Sequence, residues 1–204
     1  MGNCTVVVTG ASGSCYGMRA IEQLALAGHD VTVVFTNSGR EVTAFELGFE
    51  LPTGDSSVAA VALSTFLELP SAEKIRVVYP DDLFDRIASG SHPTDAMVVA
   101  PCSMAFAAAV AGGLAADLPQ RAADVMLKER RPLVLVPRET PLSLVHLRNL
   151  TAAAEAGAII VPAMPAFYAR PDSVDDLVNF VVGKVLDVLG VEHALFKRWG
   201  AESS

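Results

Sequence analysis

The chain has 204 residues, of which 51% are hydrophobic, and a formal net charge of -8. The length suits one domain with a sizeable core, and the apolar content excludes a disordered chain and favours association between subunits. The acidic balance, without a basic cluster free of intervening glutamates, argues against nucleic-acid binding.

The chain begins with a strand-like segment, TVVVT, at residues 5 to 9. The residues before it do not form the basic region, apolar region and cleavage site of a secretory signal, so we expect a cytoplasmic protein. The uncharged stretch 96–116 is long enough to span a bilayer. Its alanine content, Pro101 and the Gly112-Gly113 pair instead indicate a strand, a turn and a buried helix, and no membrane association.

Apolar runs alternate with helical stretches along the whole chain. After TVVVT come VTVVF (31–35), IRVVY (75–79), AMVVA (96–100), PLVLV (132–136) and AIIVP (158–162). Near-continuous apolarity is typical of strands covered on both faces. The pattern predicts one α/β domain over residues 1–204: a Rossmann-like (flavodoxin-like) doubly wound parallel sheet of about six strands.

The C-terminal part is predicted to be a helix followed by a tail. The helix runs from about 173 to 189, with Ser173 as its N-cap and Gly190 at its end. We expect residues 173–204 to close the site or to pack on a neighbouring subunit.

The segment TGASGSCYG, residues 9–17, follows the first strand and leads into a helix. Amides at a helix N-terminus, with Ser12 and Ser14 as further donors, suit a phosphate, although a plain tight turn has the same composition. The second strand lacks a following acid for an NAD ribose, and no Gly-Lys-Ser/Thr of a Walker loop is present. A mononucleotide or flavin phosphate fits better.

Two further polar loops follow predicted strands, and ligands of such sheets lie beyond the carboxyl ends of the strands. The loop Ser89-Gly90-Ser91 comes after the third strand, and Pro101-Cys102-Ser103 follows the fourth. We therefore expect both loops to converge with TGASGSCYG on one polar or anionic ligand.

Charge is concentrated in LKERRPLVLVPRETPL, residues 127–142. Lys128 to Arg131 precede the buried strand, whereas Arg138 and Glu139 leave its carboxyl end. Five strand residues span about 17 Å, so one small ligand cannot easily contact Lys128 and Arg138 of the same chain. Either these charges form ordinary ion pairs, or the site is shared between subunits.

The sequence Asp81-Asp82-Leu83-Phe84-Asp85 has the DDxxD spacing by which many prenyl diphosphate enzymes bind magnesium. Those enzymes are helical and carry a second acidic motif. A single copy in an α/β chain indicates a solvated helix start, and no metal site is predicted.

The segments TGASGSCYG, SGS, PCSM, RAADVMLKERRPLVLVPRETPL and PAFY, with Glu46 and the terminal RW, together resemble the UbiX-type flavin prenyltransferases. The resemblance covers nearly the whole chain. It implies a homododecamer that transfers a dimethylallyl group from dimethylallyl phosphate to N5 and C6 of reduced FMN, without metal. The product would be prenylated FMN for a UbiD-type decarboxylase.

The resemblance also implies roles for individual residues. The FMN site would comprise Gly10, Ala11, Ser12, Thr36, Ser103, Met104, Ala105, Phe106 and Arg138. The prenyl phosphate would be bound by Arg121, Lys128, Tyr168 and Lys184. The catalytic set would be Ser12, Glu46, Lys128, Glu139 and Trp199, in which clustered cations stabilise the leaving phosphate and Glu139, if it becomes buried, transfers protons.

Two positions depart from the family pattern. Phe106 stands where relatives often have Thr, so that contact with FMN must come from backbone, and Lys184 stands where some relatives have Arg. Alternatives are an FMN-dependent cysteine decarboxylase, whose PxMNxxMW segment is replaced here by PAMPAFYAR, and a flavin carrier without catalytic activity.

Overall fold

In the computed structural model, which describes residues 2–168 and 170–198, six parallel strands form one sheet. The strands are β1 (Asn3–Val8), β2 (Asp30–Phe35), β3 (Ile75–Val78), β4 (Ala96–Cys102), β5 (Leu133–Pro137) and β6 (Ile159–Ile160). Their order is β3-β2-β1-β4-β5-β6, the order of a doubly wound Rossmann-type sheet. The predicted fold is confirmed.

Seven α-helices in the described residues cover the two faces of the sheet. They are α1 (Ser14–Leu26), α2 (Asn37–Leu47), α3 (Ser56–Phe66), α4 (Met104–Ala111), α5 (Leu118–Lys128), α6 (Leu144–Glu155) and α7 (Val174–Leu189). Side chains of α1, α3 and α7 form the core on one face, and those of α4, α5 and α6 form it on the other. Strand residues point alternately into the two cores, which explains why β1, β2 and β5 are apolar almost throughout.

The uncharged stretch 96–116 folds as predicted, with β4 ending at Cys102 and α4 starting at Met104. Within the described residues, no helix has the length and apolarity that a membrane crossing needs.

The predicted start and end of the last helix are also found in the structure. Ser173 Oγ accepts a hydrogen bond from the amide of Asp176, whose carboxylate accepts one from the Ser173 amide, and Gly190 ends the helix in the left-handed conformation. This reciprocal pair satisfies amides that a helix leaves free at its N-terminus.

Candidate active site

The sheet has its switch point between β1 and β4, where the connections leave in opposite directions. Thr9 joins the two strand ends there: its buried hydroxyl donates to the Pro101 carbonyl oxygen at 2.7 Å and accepts from the Ser103 amide at 2.8 Å. The loops after β1 and β4 therefore lie side by side, in the crevice where such sheets bind ligands.

Three glycines let the backbone approach closely around this crevice. A Cβ on Gly10 would lie 2.5 Å from Ser38 Oγ, and one on Gly17 only 2.2 Å from the Ala100 carbonyl oxygen. Gly13 has a φ of 104°, a backbone conformation that is strained for any residue with a side chain. The glycine turn thus brings α1 against β4 and the start of α2 against β1.

Glu46, on α2, binds the N-terminus of α1. Its carboxylate accepts hydrogen bonds from the amides of Gly13, at 3.0 and 3.1 Å, and Ser14, at 2.9 Å. Partial burial alone would raise the pKa of Glu46, but hydrogen bonds from the Ser12 side chain and from the Ser14 and Gly13 amides hold it below its ordinary value. Glu46 is therefore an anion at neutral pH.

This contact corrects one prediction. A flavin phosphate was expected on the amides that open α1, but two of them are already bonded to Glu46. The helix N-terminus does attract an anion, as the dipole and free amides require, and the chain supplies that anion from α2. The sequence signal was absent because Glu46 lies 33 positions from Gly13.

The loop after β2 contributes hydroxyl groups to the same edge. Thr36 Oγ1 accepts from the Gly39 amide at 3.0 Å and lies 3.4 Å from Ser38 Oγ. Ser38 in turn faces Gly10. Thr36 was predicted, whereas Ser38 and Thr9 were missed. Their signal was present in the sequence, as hydroxyl residues within three positions of the ends of β1 and β2, which are neighbouring parallel strands.

The loop after β4 is shaped by a helix cap. Ser103 Oγ accepts from the Phe106 amide at 3.2 Å, and the side chains of Met104 and Phe106 are buried. Phe106 packs in the α4 core rather than replacing a hydroxyl at the surface, and its amide is engaged by Ser103. The exposed member of the loop is Ala105.

Arg138 and Glu139 follow β5 at this edge. Arg138 Nε donates to the Ser12 carbonyl oxygen at 2.9 Å and so joins the end of β5 to the glycine turn. Glu139 is exposed in the single chain and accepts from the Thr140 amide at 3.0 Å. The burial expected for Glu139 therefore requires a ligand or a second subunit.

These loops fit the flavin of FMN. Residues 10–12, 103 and 105 have small side chains, so a flat ring system can approach the backbone there. The hydroxyls of Ser12, Thr36 and Ser38 and the Arg138 guanidinium belong to the same loops and are groups that a flavin can hydrogen-bond.

A second charged cluster lies at the opposite end of the sheet, beside the amino end of β5. Arg131 donates to the carbonyl oxygens of Gly90, at 2.8 Å, and His92, at 2.7 Å. Lys128 pairs with Glu129 at 2.8 Å beside the same loop. Lys128 and Arg138 thus lie at opposite ends of β5, as the strand length predicted.

The position of Ser89-Gly90-Ser91 corrects another prediction. The loop was expected beside the glycine turn, but it lies with Lys128 and Arg131 at the amino end of β5. The chain has already crossed back over the sheet at this point, since the loop is closer in sequence to the start of β4 than to the end of β3. In one chain, therefore, it does not share a site with residues 9–17.

Arg121 lies in the first turn of α5. Its Nε donates to the Ala88 carbonyl oxygen at 3.1 Å, and its Nη1 pairs with Asp124 at 2.7 Å. Lys128 therefore forms an ordinary ion pair in the single chain, which was one of the two alternatives for the charges in residues 127–142, and Arg121 is paired in the same way. All four side chains of these two pairs are partly exposed, so each pair contributes little stability.

Tyr168 and Lys184 belong to a third region, formed by the loop after β6 and by α7. The ring of Tyr168 meets Phe180 edge-on at 5.9 Å, and Lys184, one turn further along α7, pairs with Asp187 at 3.1 Å. Residues 161 and 163 donate to carbonyls of β5 up to Pro137, so this loop continues past the edge that carries Arg138. Trp199 lies outside the described residues.

The DDxxD segment has a structural role at Asp85. This residue caps a short 3-10 helix (Arg86–Ala88) and pairs with Arg76, while Asp81 and Asp82 are exposed. Across residues 2–168 and 170–198, no cluster of three or more His, Cys, Asp or Glu side chains suitable for a metal ion occurs.

The fold and the site define a doubly wound α/β protein with glycine- and hydroxyl-rich loops at the switch point of its sheet. A family model described as Flavoprotein matches residues 2–186. The flavin prenyltransferase UbiX of Halalkalibacterium halodurans is 44% identical over 200 residues, which cover 97% of this chain and 93% of the relative.

Two solved structures agree over almost the full length. AnUbiX (PadA1) in complex with FMN and dimethylallyl pyrophosphate has a TM-score of 0.86 at 35% identity, covering 98% of both chains. A dodecameric FMN-dependent UbiX-like decarboxylase from Escherichia coli O157:H7 has a TM-score of 0.84 at 36% identity, covering 98% of this chain and 100% of the other. This chain belongs to the flavoprotein family and, within it, to the flavin prenyltransferases of the UbiX type.

Proposed function

We propose that this protein is a flavin prenyltransferase that transfers a dimethylallyl group to N5 and C6 of reduced FMN. The observation that carries the proposal is the agreement, over nearly the whole chain, with a relative solved in complex with FMN and dimethylallyl pyrophosphate. The crevice at the switch point, with its small residues and hydroxyl groups, supports it independently.

Reduced FMN supplies the nucleophilic N5 and the carbon C6, which is separated from N5 by one ring-fusion carbon. Backbone at Gly10, Ala11 and the 103–106 loop would hold the flavin, with Thr36 and Arg138 as polar contacts. Ser12 would hydrogen-bond N5. Because Glu46 is an anion that accepts a hydrogen bond from the Ser12 side chain, it would orient the Ser12 hydroxyl toward the flavin.

The chemistry of the prenyl donor explains the cations. Cleavage of the allylic carbon–oxygen bond leaves a phosphate dianion, so positive side chains stabilise the charge that grows in the transition state. We assign this task to Arg121, Lys128 and Lys184, with Tyr168 as a hydrogen-bond donor. Glu139, next to Arg138, would move a proton between N5 and a phosphate oxygen, and Trp199 would face the allylic fragment.

We further propose that the active site is shared between subunits of a homododecamer. Arg138 and Lys128 lie at opposite ends of a strand about 17 Å long, so they serve one active site only if different copies supply them. The dodecameric state of a relative and the apolar composition support this assembly. An approaching subunit would also provide the burial that Glu139 lacks in one chain.

The product, prenylated FMN, would be delivered in the cytoplasm to a UbiD-type decarboxylase. Such a cofactor has no use within the transferase itself, since the reaction ends when the new ring is closed. The family resemblance supports this recipient.

Anaerobic incubation of the protein with reduced FMN and dimethylallyl phosphate, followed by mass spectrometry, tests the activity. We expect the flavin mass to increase by one prenyl group in the presence of a metal chelator. A parallel sample with dimethylallyl pyrophosphate determines the donor. Binding of FMN without any mass change would contradict the enzyme and favour a carrier.

A further inference from the structure

The carboxylate of Asp187 holds together three groups from two parts of the chain. It accepts hydrogen bonds from Lys184 at 3.1 Å and from Arg198 at 2.7 Å, and its Oδ1 is hydrogen-bonded to His193 Nε2 at 3.1 Å. Lys184 lies one turn earlier on α7, whereas His193 and Arg198 belong to the tail that follows the helix. Asp187 therefore joins the helix to the tail.

The tail also packs closely on α7 at Gly183, where the helix has no side chain. A Cβ on Gly183 would lie 2.4 Å from the ring of Phe196 and 2.7 Å from that of His193, so only glycine admits these rings. The side chain of His193 is just 2% exposed, which shows how closely this part of the tail packs. Gly183 is thus a contact point for the tail in the middle of a helix, where glycine otherwise costs stability.

Aromatic contacts continue from the tail to the predicted substrate residue Tyr168. Phe196 lies 5.0 Å from Phe180, and Phe180 meets Tyr168 edge-on at 5.9 Å. The Arg198 guanidinium is 5.9 Å from the centre of the Phe196 ring. The docked tail therefore contacts both side chains of this region that are assigned to the prenyl phosphate: Lys184 through Asp187, and Tyr168 through Phe180.

We propose that Asp187 and Gly183 are positioning residues for prenyl transfer, which dock the tail and orient Lys184 so that the tail and the phosphate-binding side chains act as one unit. This inference rests on the proposed function. Asp187 itself touches neither substrate; it acts through Lys184 and through Arg198, the residue that directly precedes Trp199 in the sequence. No electron or group passes through it.

The docking is tested on the full-length, assembled protein with Asp187→Asn, which removes the charge but keeps the shape. We expect trypsin cleavage after Lys197 and Arg198 to become about tenfold faster, because a released tail exposes these bonds. The chain contains one tryptophan, Trp199, so its emission and its quenching by bound oxidised FMN report on the end of the tail. Quenching should decrease in the variant.

Matched variants separate docking from general stability. Asp175→Asn removes an acid from the first turn of the same helix. His193 and Arg198 hydrogen-bond Asp187 and not Asp175, so this variant should leave the rate of cleavage unchanged. Alanine has a higher helix propensity than glycine, so Gly183→Ala should not melt α7. Its methyl group would occupy the space that the rings of Phe196 and His193 fill, so the variant should release the tail. Asp187→Glu, which restores the charge, should recover part of the protection.

The positioning role is tested by kinetics. In Asp187→Asn we expect the KM for dimethylallyl phosphate to rise about tenfold, as for loss of about 1.4 kcal/mol of interaction, while the KM for FMN stays within about twofold. Normal tail protection in this variant, or a released tail with unchanged KM, would overturn the inference. If the wild-type protein forms no prenylated flavin, the proposed function is wrong. The rate of tail cleavage in Asp187→Asn would still show whether Asp187 docks the tail.

Discussion

Glu46 gives a prediction at the scale of single residues. Its depressed pKa means that the folded state stabilises its charged form, so this stability is present above the ordinary carboxyl pKa of about 4.3 and is lost as the pH falls through the lower folded value. Glu46→Gln should lower the free energy of unfolding at pH 7 by about 1 kcal/mol, since one acceptor oxygen remains for the amides.

Urea titrations at pH 7 and near pH 3 measure this difference. It should shrink at the lower pH, where the wild-type carboxylate approaches protonation. Glu41→Gln on the same helix, at an exposed position, is the control. An equal loss of stability at both pH values would show that charge on Glu46 is not the cause.

Glu139 gives a second prediction. If it transfers a proton between flavin N5 and phosphate, Glu139→Gln should bind FMN with unchanged affinity but lose at least about 100-fold in turnover, the usual range for a general acid or base. Flavin fluorescence titration measures the first quantity, and anaerobic mass spectrometry measures the second. Full turnover in the variant would remove Glu139 from the catalytic set.

Individual residues were predicted to different depths from the sequence. Arg138 and Thr36 could be placed at the carboxyl edge because they directly follow strands, and the structure has them there. The contact of Glu46 with the Gly13 amide could not be derived from spacing, because it joins two helices that meet only after the sheet has formed. A local pattern carries no information about such a pair.

At the scale of elements, Gly17 determines how closely α1 packs on β4. A Cβ there would lie 2.2 Å from a backbone carbonyl oxygen, which cannot rotate away. Gly17→Ala should therefore cost about 1–3 kcal/mol by overpacking and weaken FMN binding, because the loops after β1 and β4 both border the crevice.

The control for Gly17→Ala is Gly112→Ala. Gly112 ends α4 with a φ of -90°, and a Cβ there would approach its nearest neighbour only to 3.3 Å. We expect nearly wild-type stability and FMN affinity for this variant. Thermal unfolding measures the stability of both variants, and fluorescence titration measures their affinity for FMN. Equal stability and equal affinity in the two variants would show that the contact between α1 and β4 tolerates an added methyl group.

The elements themselves were largely predictable, since buried strands and capped helices leave strong local signals. All six strands lie within two residues of the predicted runs at their starts, and Ser173 and Gly190 bound the last helix as expected. The Ser89-Gly90-Ser91 loop was misplaced because its position depends on where the chain crosses the sheet. In this crossing segment lies the short 3-10 helix (Arg86–Ala88), and Arg121 and Arg131 donate hydrogen bonds to carbonyl oxygens of the segment.

At the scale of the whole molecule, the residues assigned to the proposed reaction lie at two opposite ends of the sheet in one chain. The flavin crevice with Arg138 lies at the carboxyl edge, and Lys128 lies with its loop at the amino edge. Arg121 and Lys128 each have a carboxylate partner in the single chain, so a phosphate must compete with these acids or draw the two cations away from them. The proposed shared site gives a reason for this arrangement, because it requires opposite ends of the sheets of neighbouring copies to come together.

Mixed assemblies test the shared site directly. Lys128→Ala and Arg138→Ala should each abolish most prenyl transfer when present in every subunit. If the two side chains act across an interface, co-assembly in equal amounts restores wild-type pairs at about a quarter of the sites, provided that subunits mix at random. Activity of co-expressed, differently tagged subunits, purified through both tags, provides the measurement. If each site were built within one chain, every copy would carry one defective residue, and mixing would restore no activity. Mixed assemblies that are as inactive as either variant alone would therefore contradict a shared site.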